Sequence, residues 1–438
     1  MRTAKDNLWL DMPYSAGPAL YGDHEADVAI IGGGLTGMAS AYFIKRRFPD
    51  KRVIVLESEY VGFGSSGRNG GVVTCMLGNS VLPLKQKHGT EKAILLQDLA
   101  HRSTALLKNL IDEHGIECDY EACGRLAVAG SDKEVRLLEK EAMACEEIGA
   151  DMMWLDRAQA RDRFGALDMT AALYSPDEAV LNPGKFVRGM KKVVESLGVE
   201  IYEHSTCTHV EQGSPMSLYT PSARIAADEI VLATNAYANP LGLFKRRVLP
   251  FYVYEIATEP LTDSQLDRFR WQGRFTVCSL KNLFWTLRLT VDNRLLFIEC
   301  DGLYFYDIDR DYSHRPREYK SHHRLMTKLF PLIKDARITH QWGGRVGMTY
   351  DFLPSIGRTG KHDNIYYSVG YNGHGLAFSQ LAGTMLAELM AAEKSDLTDH
   401  FLINKRLWGV PSAALTYLGV NSYKTYFRMC DWMLDVGK

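Results

Sequence analysis

The chain has 438 residues, 46% of them hydrophobic and 24% charged, which excludes a fibrous or largely disordered protein and exceeds one ordinary hydrophobic core. Two interleaved domains are expected. Lys+Arg 51 against Asp+Glu 53 leaves a formal charge of -2, so charge gives no support for a nucleic-acid partner or an anionic membrane surface.

The first residues carry Arg2, Lys5, Asp6 and Asp11 with no apolar run behind them, and a cleaved secretory leader is not expected. Next, Ala26-Asp27-Val28-Ala29-Ile30-Ile31 reads as a short apolar strand entering the turn Gly32-Gly33-Gly34-Leu35-Thr36-Gly37. A helix should follow through Ala39, Ala41, Tyr42, Ile44 and Phe48, and a second strand over 52–56 should end at Glu57. Gly32 permits the tight turn, Gly34 lets backbone approach a diphosphate, and Gly37 allows close helix–strand packing. The helix start, with Leu35 and Thr36, offers amides to phosphate, while Glu57 and the adjacent Ser58 stand where ribose hydroxyls would be held. The acid would repel a 2′-phosphate, so NADP is not expected. The fingerprint alone does not separate NAD from FAD.

Gly64-Ser65-Ser66-Gly67-Arg68-Asn69-Gly70-Gly71 reads as an ordered glycine-rich loop. Apolar spacing predicts a long helix over 91–114, then a strand over 125–129 and a helix over 132–148. A further helix is expected over 185–196, a strand near 199–202, and a buried strand over 228–234 that contains Ala233 and Thr234. Residues 250–300 are rich in Tyr, Phe, Thr and Val, consistent with an antiparallel sheet. There Phe251, Tyr252, Tyr254, Phe284 and Trp285 suit sheet core or pocket lining. A strand over 364–369 precedes Gly370-Tyr371-Asn372-Gly373-His374-Gly375, and a helix over 376–390, beginning at Leu376, supplies a second glycine-led start. In the aromatic tail after 397, Tyr417, Tyr423, Tyr426, Phe427 and Trp432 are expected to pack within the protein.

No apolar run approaches the roughly 20 residues that span a bilayer. The 8 cysteines are scattered, so reduced thiols in a cytoplasmic setting are expected. Cysteines and histidines form no zinc-like spacing; no catalytic metal is expected, and His322-His323 reads as an exposed polar pair.

Taken together, the first fingerprint, Ser65-Ser66-Gly67-Arg68-Asn69-Gly70-Gly71, Ala257-Thr258-Glu259-Pro260-Leu261, Arg288-Leu289-Thr290, Asp292-Asn293-Arg294-Leu295-Leu296 and Gly370–Gly375 resemble the glycine/D-amino-acid oxidase superfamily, most like its gamma-glutamylputrescine oxidase branch. The resemblance implies an α/β fold: a Rossmann-like FAD-binding domain (1–90, 181–240 and 336–395) interleaved with a substrate domain (91–180 and 241–335) built on a mixed, mostly antiparallel sheet. Residues 396–438 would form a C-terminal helical extension. The implied activity is dehydrogenation of a small primary or secondary amine to an imine that water hydrolyses, with oxygen reduced to hydrogen peroxide. A dehydrogenase with another electron acceptor and a flavin-binding regulatory protein with little turnover remain as alternatives. Oligomeric state stays open.

The resemblance also places candidate residues. Arg68 is the first choice for tuning the reactive edge of the flavin, with Ser65, Ser66, Gly67, Asn69, Gly70 and Gly71 beside it. Gly373, His374 and Gly375 stand near the ring, where a helix terminus favours negative charge in the reduced cofactor. His374 is a catalytic candidate, and Gly344 and Asp351 belong to the later flavin-side segment. Arg288 is a candidate anion contact, Lys281 a candidate for substrate or oxygen chemistry, and Tyr254 and Trp285 a candidate aromatic wall. Sarcosine-type relatives attach flavin through a cysteine in the segment matching 343–348; none occurs here, so noncovalent FAD is expected. Their carboxylate-holding lysine is replaced by Ala377, which argues against a simple alpha-amino acid substrate.

Overall fold

The computed structural model describes residues 6–78, 80–238, 241–308 and 310–435. Gly22–Ile31 pairs in parallel with Val53–Leu56 on one side and with Ala223–Leu232 on the other. Residues Val28 to Ile31 and the whole of Val53–Leu56 are buried, as parallel strands covered on both faces require. The crossover is the helix Leu35–Arg47, which closes on Lys45, Arg46 and Arg47, cations suited to its C-terminal dipole. Phe48, restricted by the following Pro49, ends it.

The first sheet has eight strands, in the order His209–Glu211, Met216–Tyr219, Ala223–Leu232, Gly22–Ile31, Val53–Leu56 and Glu200–Tyr202. Ile365–Val369 joins parallel to the upper half of Ala223–Leu232, with Ser355–Thr359 antiparallel beyond it. The helices Leu35–Arg47 and Gly375–Met390 cross closely: a Cβ on Gly383 would lie 2.7 Å from the backbone carbon of Ala39. The helix Thr90–His114 buries Leu96, Leu99, Leu107 and Leu110 in this same core. Periodicity predicts that one face of this helix is buried, and the packing shows that the first sheet's core is what covers it.

A second eight-stranded sheet runs Ile338–Met348, Leu249–Pro260, Arg294–Tyr304, Trp285–Leu289, Thr276–Ser279, Arg125–Ala129, Ala171–Ser175 and Met153–Leu155. All its pairings are antiparallel except that between Thr276–Ser279 and Arg125–Ala129. The chain is thus a mixed α/β fold with a Rossmann-like region and a separate, mostly antiparallel sheet. Ile338–Met348 is an edge strand of that second sheet, so the segment 336–395 contributes to both sheets. A three-stranded ribbon, Val72–Val73, Ala179–Val180 and Glu121–Ala122, lies beside the glycine-rich loop. Asn182 then caps the helix Pro183–Ser196 by accepting from Lys185 N at 3.0 Å, with Pro183 at its first position.

Two expectations about the surface are corrected. His322 is 2% exposed because Tyr319, His322 and Met326 share the buried face of the helix Pro316–Leu329. The helix Ala413–Asp435 buries Thr416, Lys424 and Asp431, whereas Tyr417, Tyr423, Tyr426 and Trp432 are exposed. Polar anchors hold it: Lys424 Nζ lies 2.5 Å from Asp301, and Asp431 accepts from the Asn282 and Leu283 amides at 2.9 Å each. Among the described residues no helix is long and apolar enough to cross a membrane. All eight cysteines are free.

Candidate functional site

Gly32 ends the first strand with φ +110°, and a Cβ there would lie 2.8 Å from the carbonyl oxygen of Ala233. Only glycine satisfies both demands. A Cβ on Gly37 would reach within 1.9 Å of Gly32 O, so the helix can begin this close to the turn only without a side chain. Leu35 N donates to Ser66 Oγ at 2.9 Å, and the first intrahelical bond runs from Met38 N to Gly34 O, also 2.9 Å. The amides of Thr36 and Gly37 precede that bond, at the positive helix end. Glu57 accepts from Gly33 N at 2.7 Å, Glu59 N at 3.0 Å and Ser58 Oγ at 3.1 Å. Burial pushes its carboxyl upward, opposed by these hydrogen bonds. Thr234 Oγ1, next to Ala233, is buried with no protein partner.

The glycine-rich loop is braced from within. Gly64 caps the short 3-10 turn Ser65–Gly67. Asn69 donates to Ser65 O at 2.9 Å and Ser66 O at 3.0 Å, and its own carbonyl accepts from Gly71 N at 2.9 Å. Ser65 Oγ donates to Arg345 O. Arg68 Nε donates to Phe63 O at 2.7 Å and Nη1 to Gly343 O at 3.2 Å, with the guanidinium 4.4 Å from the Phe63 ring centroid. Trp342 Nε1 donates to Arg68 O at 3.1 Å, and a Cβ on Gly344 would sit 3.2 Å from Arg68 Cβ. Arg68 therefore ties this loop to the edge of the second sheet.

The second glycine-led start lies against the first. Thr36 Oγ1 and Tyr371 OH are 2.8 Å apart, and Tyr371 OH donates to Ser368 Oγ at 2.7 Å. Gly373 has φ +92° with no atom within 4 Å of a would-be Cβ, so the loop opens onto free space before Gly375 and Leu376 enter the helix Gly375–Met390. His374 Nδ1 lies 3.1 Å from Asn372 O; a carbonyl only accepts, so the proton is assigned to Nδ1 and Nε2 is the acceptor. Burial pulls this imidazole down to about 4, helped by the nearby positive charge of Arg125. It is neutral at pH 7, which suits orientation and not proton donation. Asp351 is paired with Lys405 at 2.5 Å and accepts from Leu353 N at 3.3 Å, bracing this region from outside.

One face of the second sheet meets the 65–71 loop. Strand alternation turns Tyr252, Tyr254 and Ile256 toward a core with Phe297 and Phe330, while Val253, Glu255 and Ala257 turn the other way, toward Trp9, Leu296, Ile298 and Trp342. Tyr254 OH donates to Tyr312 O at 2.8 Å, and Trp285 stacks on Phe297 with centroids 6.3 Å apart. Both expected pocket aromatics thus lie in the far core, one residue out of phase with the loop-facing side. Arg288 is on the loop-facing side. Its Nη1 donates to Gly70 O at 2.8 Å, Gly71 O at 2.6 Å and Leu181 O at 3.1 Å, and burial lowers its guanidinium to about 10. The expected anion contact is a backbone clamp. Lys281 binds both carboxylate oxygens of Asp435 at 2.7 Å, which commits it to the C-terminal helix.

Sequence reasoning missed Glu255. It is 3% exposed, its Oε2 has no partner, and burial raises its carboxyl well above 4.5 against the opposing charge of Arg288. The parity of the strand was the available signal, since Glu255 alternates with Tyr254 and Ile256.

The tight turn at Gly32, the helix start behind it, the unpartnered Thr234 hydroxyl and the open second loop together fit a long dinucleotide. The family described as DAO, FAD dependent oxidoreductase, matches residues 27–389. The chain belongs to this family of FAD-dependent oxidoreductases. It is 30% identical over 370 residues to gamma-glutamylputrescine oxidoreductase of Escherichia coli strain K12, covering 84% of each chain. It is 29% identical over 389 residues to the probable oxidoreductase OrdL of Haemophilus influenzae, covering 87% of this chain and 86% of the relative. Among solved structures, glycine oxidase from Geobacillus kaustophilus superposes with a TM-score of 0.74 at 22% identity, over 88% of this chain and all of that one. As an FAD oxidoreductase, the chain would hold the cofactor diphosphate at Gly32–Gly37, the ribose near Glu57 and Ser58, and the ring between the 65–71 and 373–376 segments.

Proposed function

We propose that this FAD enzyme is an amine oxidase of the gamma-glutamylputrescine oxidase type, acting on a small primary or secondary amine. The observation that carries the reading is the joining of two glycine-led helix starts at Thr36 and Tyr371, with the 65–71 loop held to the first start by Ser66 and to the second sheet by Arg288. The names of the Escherichia coli relative and of the glycine oxidase support carbon–nitrogen chemistry. FAD, held at these residues, would supply the hydride acceptor for the amine carbon and the route by which oxygen is reduced to hydrogen peroxide.

The chain's own residues orient and enclose. The 65–71 segment, held by Asn69, Arg68 and Arg288, fixes one wall, and the inner sheet face forms the other. The amides at the start of Gly375–Met390 favour negative charge on whatever lies before them. His374, neutral with an acceptor Nε2, positions the ring without exchanging a proton. The strand Ile338–Met348 contains no cysteine, which supports noncovalent attachment. Ala377 leaves no cation after Gly375 for a substrate carboxylate, which favours amines over simple alpha-amino acids.

The test is flavin absorbance under anaerobic conditions across a panel of diamines, N-acylated diamines, secondary amines and amino acids, followed by admission of oxygen. Bleaching by an amine with prompt oxygen-driven return and peroxide is the expected result. Bleaching without return would assign a dehydrogenase, and no bleaching by any amine would overturn the proposal.

A further inference from the structure

Other buried charges near the 65–71 loop and the three-stranded ribbon are held by protein partners. Glu178 accepts from Arg125 at 2.8 Å, and Glu121 lies 3.4 Å from Arg274. Arg288 gives Nη1 to three backbone carbonyls. Glu255 differs: among the described residues its side chain forms no ion pair, and its buried Oε2 has no hydrogen bond. Two donors of the same region are also unpartnered, Arg288 Nε and Trp9 Nε1, and the guanidinium lies 5.3 Å from the Trp9 ring centroid.

The position of Glu255 is fixed by register. It is paired with Trp342, whose indole bonds Arg68 O, and with Ile298, whose Cδ1 would lie 2.4 Å from a Cβ on Gly70. The carboxyl therefore shares the face that meets both the Arg68 and the Gly70 segments. A buried carboxylate without a partner is costly, and it is neutralised either by a proton or by an incoming cation. An amine arrives at neutral pH mainly as such a cation, with N–H groups that match a carboxylate acceptor.

We propose that Glu255 is the substrate-contacting acceptor for the amine nitrogen and selects cationic amines over neutral isosteres at this site. This rests on the amine oxidase reading for the choice of ligand. The N–H groups bond to the Glu255 carboxylate; when one proton passes to Oε2, the amine is left neutral with its lone pair free and the carboxyl is left neutral as well. Atoms and charge balance with no further reactant.

The test separates recognition from turnover. tert-Butylammonium has no hydrogen on its alpha carbon and cannot be dehydrogenated, and tert-butanol is its neutral isostere. Each is titrated into the FAD-loaded enzyme at matched ionic strength, following the visible flavin spectrum. Wild type is expected to bind the ammonium about tenfold or more tightly than the alcohol, and Glu255→Gln to reduce that preference to about twofold with FAD content unchanged. Equal affinity in wild type, no ammonium binding in wild type, or a preference that survives in Glu255→Gln overturns the proposal. Should Glu255→Gln lose FAD, the wild-type ratio and Glu255→Asp, expected to give an intermediate preference, decide it. Failure of every amine to bleach the flavin would count against the oxidase reading and leave this binding comparison intact.

Discussion

Arg288→Met tests whether this arginine is a clamp or a ligand contact. Its Nη1 holds the carbonyls of Gly70, Gly71 and Leu181, and the guanidinium, lowered only to about 10, is charged at neutral pH. Methionine keeps much of the volume but leaves three carbonyls without their donor and Glu255 without its neighbouring positive charge. Removing one member of a buried charged network costs about 3–5 kcal/mol. If about 3 kcal/mol of that falls on the loop beside the flavin, FAD binding weakens about a hundredfold. The assay is titration of apoprotein with FAD, alongside kcat/KM for neutral and anionic amines. The expected outcome is weaker FAD binding with an equal loss for every amine, and partial recovery in Arg288→Lys, which restores charge but not the planar fork. Unchanged FAD affinity with a loss confined to anionic amines would refute the clamp and reinstate an anion contact.

Two further outcomes are expected. Glu299 is pushed from 4.5 up to about 7, first by burial and then by the charge of Asp301. Because the folded form favours the protonated carboxyl, stability is highest below pH 4.5 as far as this group is concerned and falls through pH 7, by at most about 3 kcal/mol. Glu299→Gln should therefore raise the thermal midpoint at pH 8 and leave it nearly unchanged at pH 5; the opposite ordering refutes the assignment. Lys281→Ala should cost no more than about 1 kcal/mol, since its pair with Asp435 is partly exposed. Its rate of flavin reoxidation by oxygen should match wild type in a stopped-flow trace, and a slower rate would return Lys281 to oxygen chemistry.

Much of the cofactor region was legible because its constraints are local. Gly32, Gly37 and Glu57 lie within one strand–helix–strand unit, where a turn, a close approach and a strand end each demand a residue type. The elements over 125–129, 132–147 and 375–390 were likewise set by nearby periodicity. What sequence did not show were partnerships across long separations. Arg288 looks the same in sequence whether its guanidinium meets a substrate anion or a carbonyl 218 residues away at Gly70. Lys281 and Asp435 are 154 residues apart, and nothing local to either announces their pairing. The C-terminal helix misled for a related reason: its apolar residues do not face the core, because Lys424 and Asp431 meet Asp301 and the Asn282–Leu283 amides there.

The aromatic wall shows how a period-two pattern carries information that residue type alone conceals. Tyr and Trp suit a pocket because each joins a flat apolar body to a polar tip. In a strand, however, the choice of Tyr254 for one face commits Glu255 to the other, and the choice of Trp285 commits Thr286 and, two residues on, Arg288. The apolar side chains are the ones that a sheet buries against covering helices, here with Tyr319 and Met326 of Pro316–Leu329. A site that must hold a charged ligand follows the complementary parity. Glu255, Thr286 and Arg288 share the loop-facing side with Trp9, Leu296, Ile298 and Trp342, because the packing of Tyr254, Trp285 and Leu287 on the far side commits them to it. The position of the carboxyl that we assign to the amine is thus a consequence of how the opposite face is stabilised.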